Sequence, residues 1–354
     1  MAAVSLAQRV VRWQKQHGRN DLPWQNTRDV YRVWLSEVML QQTQVASALG
    51  YFERFVRRLP TLRDLSAATE DEVLGLWSGL GYYSRARNLH RCAQRVVNLH
   101  GGEFPTTAAQ LADLPGIGRS TAAAIASICF GERVAILDAN AQRVLTRVLG
   151  FGDDLALVAN ERRLWAAAHE LLPRRNLLHN MPRFTQGMMD LGATLCLARQ
   201  PQCSRCPLVA DCVAHHQGAQ LSFPNKTRTL RRSASVMWLL LARSPDGSLW
   251  LRRRPAPGVW GGLYCLPWFD SREELLDVLP KGRRRHTRDI EAFKHVLTHK
   301  DLYLHPVQVE LPRRLHDPAG GQWFAQQAWQ SLGLPAPVRC LLSQLVSQPY
   351  DVVG

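Results

Sequence analysis

Four cysteines fall within seventeen residues, in the spacing Cys196-x6-Cys203-x2-Cys206-x5-Cys212, with a proline directly after Cys206. No other feature restricts the fold as much, because four thiolates so near in sequence can surround one centre. Such a set suits either an iron-sulfur cluster or tetrahedral zinc. Structural zinc usually takes its ligands as two close pairs, whereas here Cys203 and Cys206 form the single close pair, which favours the cluster. The other four cysteines, Cys92, Cys129, Cys265 and Cys340, stand alone. The opening MAAVSLAQRVVRWQKQHGRN sets arginines among its apolar positions, so neither a signal peptide nor a membrane span is expected and the expected location is cytoplasmic. Cysteines in that compartment are not read as a disulfide framework.

A second motif lies in LADLPGIGRSTAAAIASICFGERVAILDAN, residues 111–140, which reads as helix, glycine turn, helix and a buried apolar tetrad delivering an acid. In Leu114-Pro115-Gly116-Ile117-Gly118 the proline ends a helix, and Gly116 and Gly118 permit positive φ, so that backbone NH groups can converge where the next helix starts. Such a concavity binds a phosphate. Asp138 follows Val134-Ala135-Ile136-Leu137 and sits just ahead of Asn140, which is expected to cap the helix AQRVLTRVL; the positive end of that helix favours an ionised carboxylate. An ordinary helix pair in which Asp138 is merely a second cap fits the motif equally well.

From residue 5 to about 215 the apolar positions recur at three- and four-residue steps, which predicts an all-α region. Around 216–233 the chain becomes polar and basic, and short alternating runs separated by Asp246-Gly247 and Pro-Gly turns predict a smaller α+β domain from about 230. The division is placed at 1–225 and 226–354. The 354 residues carry a formal net charge of +15, with arginine pairs and triplets at 57–58, 231–232, 252–254 and 283–285, which points to a polyanionic partner.

Glu37, in VWLSEVMLQQTQV, is flanked by Trp34, Val38 and Met39. Partial desolvation there raises a carboxyl pKa and suits a general acid, although a solvent-facing glutamate at the edge of an amphipathic stripe gives the same pattern. The stretch LWSGLGYYSRARNLH, 76–90, joins glycines, paired tyrosines and arginines in a way that suits wedging into nucleic acid.

The LPGIG hairpin, the aspartate twenty positions after Gly118 and the cysteine spacing together resemble the helix-hairpin-helix DNA glycosylases of the endonuclease III superfamily. LPWQ at 22–25, VWLSEVMLQQTQV at 33–45, GLGYY at 79–83, LPGIGRSTA at 114–122, ILDAN at 136–140 and MMDLGATLC at 188–196 resemble its adenine-specific (MutY) branch. GVWGGLYCLP at 258–267 and LTH at 297–299 resemble that branch's Nudix-like C-terminal domain. The resemblance implies two helical lobes with Glu37 and Asp138 facing across a cleft, a 4Fe-4S cluster on Cys196, Cys203, Cys206 and Cys212, and double-stranded DNA carrying adenine opposite 8-oxoguanine or guanine as substrate. A monomer is expected.

By the same resemblance Glu37 protonates the departing base and Asp138 stabilises the oxocarbenium ion, either electrostatically or through a transient covalent adduct. Gln42 and Tyr82 fill or wedge the duplex, and Trp24, Gln25 and Gln186 line the adenine pocket. Thr185 stands where the family often has asparagine, and Ala139 where it often has glycine. Ser120 occupies the place of the lysine that gives related enzymes strand-cutting activity, which implies a monofunctional glycosylase using water. The alternative is an endonuclease III-like glycosylase and lyase for oxidised pyrimidines. Thr298 and His299 match the turn that reads the base opposite the adenine, with Leu297 replacing the family's aromatic. With Gly258 as the first Nudix glycine, the acidic slots fall on Tyr264, Leu276 and Asp277, so hydrolysis of nucleoside diphosphates is not expected.

Overall fold

Capping side chains fix where the first helices begin. Ser5 forms a reciprocal capping box with Gln8 ahead of α1 (Leu6–His17), and the Asp29 carboxylate accepts the amides of Tyr31 and Arg32 ahead of α2 (Val30–Leu40). The polar Gln41–Gln44 stretch breaks the chain between α2 and α3 (Val45–Arg58), and α4 (Leu62–Ala67) follows. Further along come α5 (Glu70–Trp77), α6 (Ser84–Leu99), α7 (Ala108–Ala112), α8 (Arg119–Ile125), α9 (Ala139–Leu149), α10 (Val158–Glu170), α11 (Leu177–Thr194) and α12 (Val213–His216). The computed structural model describes residues 4–227, 231–256, 258–312, 320–325 and 327–346; residues 228–230 of the expected linker lie outside these.

The chain divides into two compact units, Met1–Ala67 with Asn88–Arg228, and Ala68–Arg87 with Thr229–Gly354. In the first, α11 lies against α1 and α9, and the buried side chains of Val10, Val144, Leu145, Met181, Phe184, Met188 and Leu191 form the shared core. Helix α8 runs on as a π-helical turn, Ala126–Phe130, closed by Gly131 in the left-handed region at φ 71°. The chain then extends through buried Ala135, Ile136 and Leu137 to reach α9.

The second unit is a mixed sheet. Its strands are β1 (Ser233–Arg243), β2 (Leu249–Arg253), β3 (Tyr264–Cys265), β4 (Trp268–Phe269), β5 (Arg288–Asp289), β6 (Phe293–Val296), β7 (Lys300–Glu310) and β8 (Gly321–Phe324). The central pair β1 and β7 runs parallel, in register from Ser233 with Lys300 to Arg243 with Glu310, and the other pairings are antiparallel. Leu240, Ala242, Val307 and Val309 bury one face beneath Leu275 and Leu279, carried on and just beyond helix α13 (Arg272–Asp277). Ala68–Arg87 joins this unit: the hydroxyls of Ser78 and Tyr83 both donate to the Leu334 carbonyl at 2.8 Å, close to helix α14 (Ala336–Val346).

Gly192 sets how closely α11 approaches the start of α9. A Cβ there would stand 2.5 Å from Asn140 Cβ and 2.8 Å from its Cα. Gly192→Ala is therefore expected to force the helices apart and cost about 1–3 kcal/mol, read as a lower denaturant midpoint. An unchanged midpoint would show that α9 yields freely.

Candidate active site

Helical spacing buries Val33, Trp34, Val38 and Met39 of α2 and leaves Glu37 only partly covered, on the wall of a pocket of about 230 Å³. Trp24, Gln25 and Gln186 line the same pocket, together with Gln14, Arg28, Ser36, His179 and Arg183. Trp24 is held edge-on to Phe52 at 5.0 Å. Burial pushes the Glu37 carboxyl up from 4.5 to about 7, and the negative charge of Asp138 acts in the same direction. Asp138 is thus near enough to be felt by Glu37, although it does not itself line the pocket.

Asp138, not Asn140, caps α9. Its carboxylate accepts the amides of Ala141 at 2.9 Å and Asn140 at 3.2 Å, which fixes the start of the helix at Ala139. Asn140 lies inside the first turn, where its side-chain oxygen accepts from Arg143 at 2.8 Å. The reason is geometric: Asp138 has the extended backbone, φ −70° and ψ 173°, that a cap requires. Ser120, in the first turn of α8, accepts the Leu137 amide at 3.0 Å and so ties the hairpin to the segment that delivers Asp138.

The two hairpin glycines differ. Gly116 adopts φ 76°, and a Cβ would meet Asn88 Cβ at 2.5 Å. Gly118 caps α8 at φ −80° with nothing near its missing side chain, so the expected positive φ is needed only at Gly116. Gln42 is exposed at φ 55° between α2 and α3, away from the pocket.

Sequence reasoning passed over Asp190. It is fully buried, and its carboxylate accepts from Arg19 Nε at 2.7 Å, the Arg19 amide at 3.1 Å and Gln186 Nε2 at 3.0 Å, so one buried charge orients a pocket glutamine. Its partner is 171 positions away, which no local pattern reveals. Thr185 is buried with its hydroxyl 2.6 Å from that of Ser127.

The four clustered cysteines line a single cavity of about 30 Å³. Among the described residues no three His, Cys, Asp or Glu side chains converge closely enough to hold a single metal ion. Arg147, 2% exposed, gathers the surrounding loop: it donates to the carbonyls of Leu197 (2.7 Å), Ala198 (3.0 Å) and Gln220 (2.8 Å), and to Cys196 Sγ at 3.4 Å. Burial pushes the Cys206 thiol up to about 11.

In the second unit Tyr82 sits at φ 48° with its hydroxyl 2.5 Å from that of Thr298. The Arg85 guanidinium lies 5.3 Å from the rings of both Trp77 and Tyr82. Thr298 and His299 form the exposed two-residue tip between β6 and β7.

Residues 35–167 match the HhH-GPD superfamily of base excision DNA repair proteins, and residues 238–344 match the NUDIX domain. An adenine DNA glycosylase of Buchnera aphidicola subsp. Acyrthosiphon pisum is 35% identical over 351 residues, covering 97% of this chain and 98% of its own. The chain belongs to the adenine DNA glycosylases. The human adenine DNA glycosylase is 43% identical over 282 residues, which cover 77% of this chain and 47% of the human one. Among solved structures, a thermostable thymine-DNA glycosylase superposes with a TM-score of 0.52 at 28% identity, over 60% of this chain and 95% of that one. Glu37 and Asp138 both lie within the residues that match the HhH-GPD superfamily.

The raised Glu37 carboxyl has a consequence for stability. Below about pH 4.5 the folded and unfolded chains both hold the proton; between there and about 7 only the folded chain does, so stability falls as pH rises through that window. Glu37→Gln removes the loss. Its unfolding free energy, read from denaturant titrations, is expected to match wild type near pH 4.5 and exceed it at about pH 8, by a margin on the order of 3 kcal/mol. Parallel pH profiles would show that Glu37 is not desolvated.

Proposed function

We propose that this glycosylase removes adenine paired with 8-oxoguanine or guanine in double-stranded DNA, with Glu37 as the acid and Asp138 as the opposing charge. One observation carries the reading: Glu37 lines a pocket with Trp24, Gln25 and Gln186, where burial and then the neighbouring Asp138 raise its pKa to about 7, while Asp138 is fixed by two backbone amides. Breaking an adenine N-glycosidic bond runs toward an oxocarbenium ion. A proton delivered to the base makes it a better leaving group, and a fixed carboxylate near the sugar lowers the energy of the developing cation. Trp24, Gln25 and Gln186 are placed to surround an extruded base, and Asp190 keeps Gln186 from rotating away. Gly116 and Gly118 would hold a phosphate at the start of α8, with Gln42 and Tyr82 occupying the opened duplex.

Water completes the reaction in this account. Ser120 carries no amine, and its hydroxyl is engaged by the Leu137 amide, so no side chain there offers a Schiff base.

Cys196, Cys203, Cys206 and Cys212 would hold a 4Fe-4S cluster. Four cysteines that line one cavity, with only Cys203 and Cys206 as a close pair in sequence, suit such a cluster. Bound there, the cluster supplies a fixed shape to the loop containing Arg199 and Arg205. Excision is assigned to residues 1–225 and reading of the opposite base to 226–354, with Tyr82 contributed from the N-terminal part. The working protein would be a monomer in the cytoplasm, associated with the nucleoid in a bacterium; no helix among the described residues is long and apolar enough to cross a membrane.

The test is a duplex with adenine opposite 8-oxoguanine. Wild type is expected to release adenine and leave the strand intact until alkali is added, whereas Glu37→Gln and Asp138→Asn should lose at least about a hundredfold in single-turnover rate. Near-normal rates in either variant would remove its assigned role. A borohydride-trapped adduct in good yield would favour the lyase alternative. Purified protein is expected to carry close to four irons per chain, as the cluster class requires; one zinc in their place would overturn the cluster.

A further inference from the structure

The turn Thr298-His299 is held on several sides. Leu297 N donates to the Lys300 carbonyl at 2.8 Å and closes the hairpin, and Ser233 N donates to the His299 carbonyl at 3.1 Å, locking the tip to the start of β1. Arg232, one residue earlier, donates through Nη1 to the Thr298 carbonyl at 2.8 Å and through Nη2 to Asp301 Oδ1. The other Asp301 oxygen takes Lys294 Nζ at 2.8 Å, across the β6 and β7 pair in which Val296 faces Asp301.

Asp301 is therefore a carboxylate beside the Thr298-His299 turn whose two oxygens are each engaged by a cation. Left bare, it would repel phosphate; paired, it becomes the hub joining β6, β7 and the residue entering β1. Both cations hold its pKa below the usual carboxylate range. An exposed ion pair contributes little to global stability. A guanidinium that bridges a carboxylate and a turn carbonyl does something else, because it fixes direction. Direction matters here because Leu297 has no ring to stack, so any recognition at this tip depends on where the Thr298 hydroxyl and the His299 imidazole point.

We propose that Asp301, acting through Arg232 and Lys294, is a positioning residue that aims Thr298 and His299 at the base opposite the excised adenine. This rests on the assignment, under Proposed function, of opposite-base reading to residues 226–354, with the Thr298-His299 turn as the reader. It makes Asp301 a determinant of discrimination between 8-oxoguanine and guanine, with no part in bond cleavage.

The experiment uses the full chain and single-turnover rates on duplexes with adenine opposite 8-oxoguanine and opposite guanine. Asp301→Ala is expected to lower the ratio of the two rates about fivefold, the worth of one well-placed hydrogen bond, with the rate opposite guanine held within about twofold. Asp301→Glu should restore most of the ratio, and melting temperatures should stay together. A purely structural role would instead lower the melting temperature and slow both substrates alike, and that result overturns the proposal. Thr298→Ala with His299→Ala separates the two levels of the argument. If it lowers the ratio while Asp301→Ala does not, the positioning role fails and the turn remains the reader. If it leaves the ratio unchanged, the turn does not read the opposite base and the proposal falls with it.

Discussion

A carboxylate bound to the first turn of a helix cannot swing away from its neighbours, and that restraint on Asp138 organises the first unit. Two amides of α9 hold its oxygens, the buried Ala135-Ile136-Leu137 run holds its backbone, and Ser120 joins that run to the hairpin. Glu37, on a different helix, feels the fixed charge. Burial is the larger cause of its raised pKa and Asp138 the smaller, so the proton at Glu37 owes more to the apolar packing of α2 than to its acidic partner. Close approach of α11 at Gly192 completes the arrangement, since the same helix brings Gln186 to the pocket and sets Asp190 against Gln186.

Buried arginines do comparable work in each unit. Arg147 draws four carbonyls, those of Leu197, Ala198, Gln220 and Phe223, and one cysteine sulfur around it in a stretch with little regular structure, and its guanidinium would be costly to bury without them. In the second unit Arg85, 8% exposed, lies against Trp77 and Tyr82 on a segment whose glycines at 79 and 81 take φ 103° and 77°. Tyr82 is thus held by its neighbours on the chain and by the Thr298 hydroxyl.

Features written over short stretches were legible in the sequence. The helical period up to about 215, the glycine hairpin, the apolar run into Asp138 and the start of the sheet at Ser233 all appear where local pattern puts them. Trp24, Gln25, Glu37 and Gln186 were named from resemblance and share a pocket. What local pattern missed depends on one-residue geometry or on distant partners. Asp138 and Asn140 are both good caps by residue type, and only backbone dihedrals decide between them. Asp190 and Arg19 meet across 171 positions, and Ser78 and Tyr83 meet Leu334 across more than 250, so Ala68–Arg87 joins the second unit for reasons no window of sequence contains.

Glu37 keeps its proton near neutrality because it is desolvated on the pocket wall beside a fixed negative charge. A carbon-13 titration of its side-chain carboxyl, in selectively labelled full-length protein, tests this most directly. The midpoint is expected at about 7, and in Asp138→Asn it should fall yet stay above 4.5, since burial remains. A wild-type midpoint near 4.5, or one that ignores the loss of Asp138, would contradict the account.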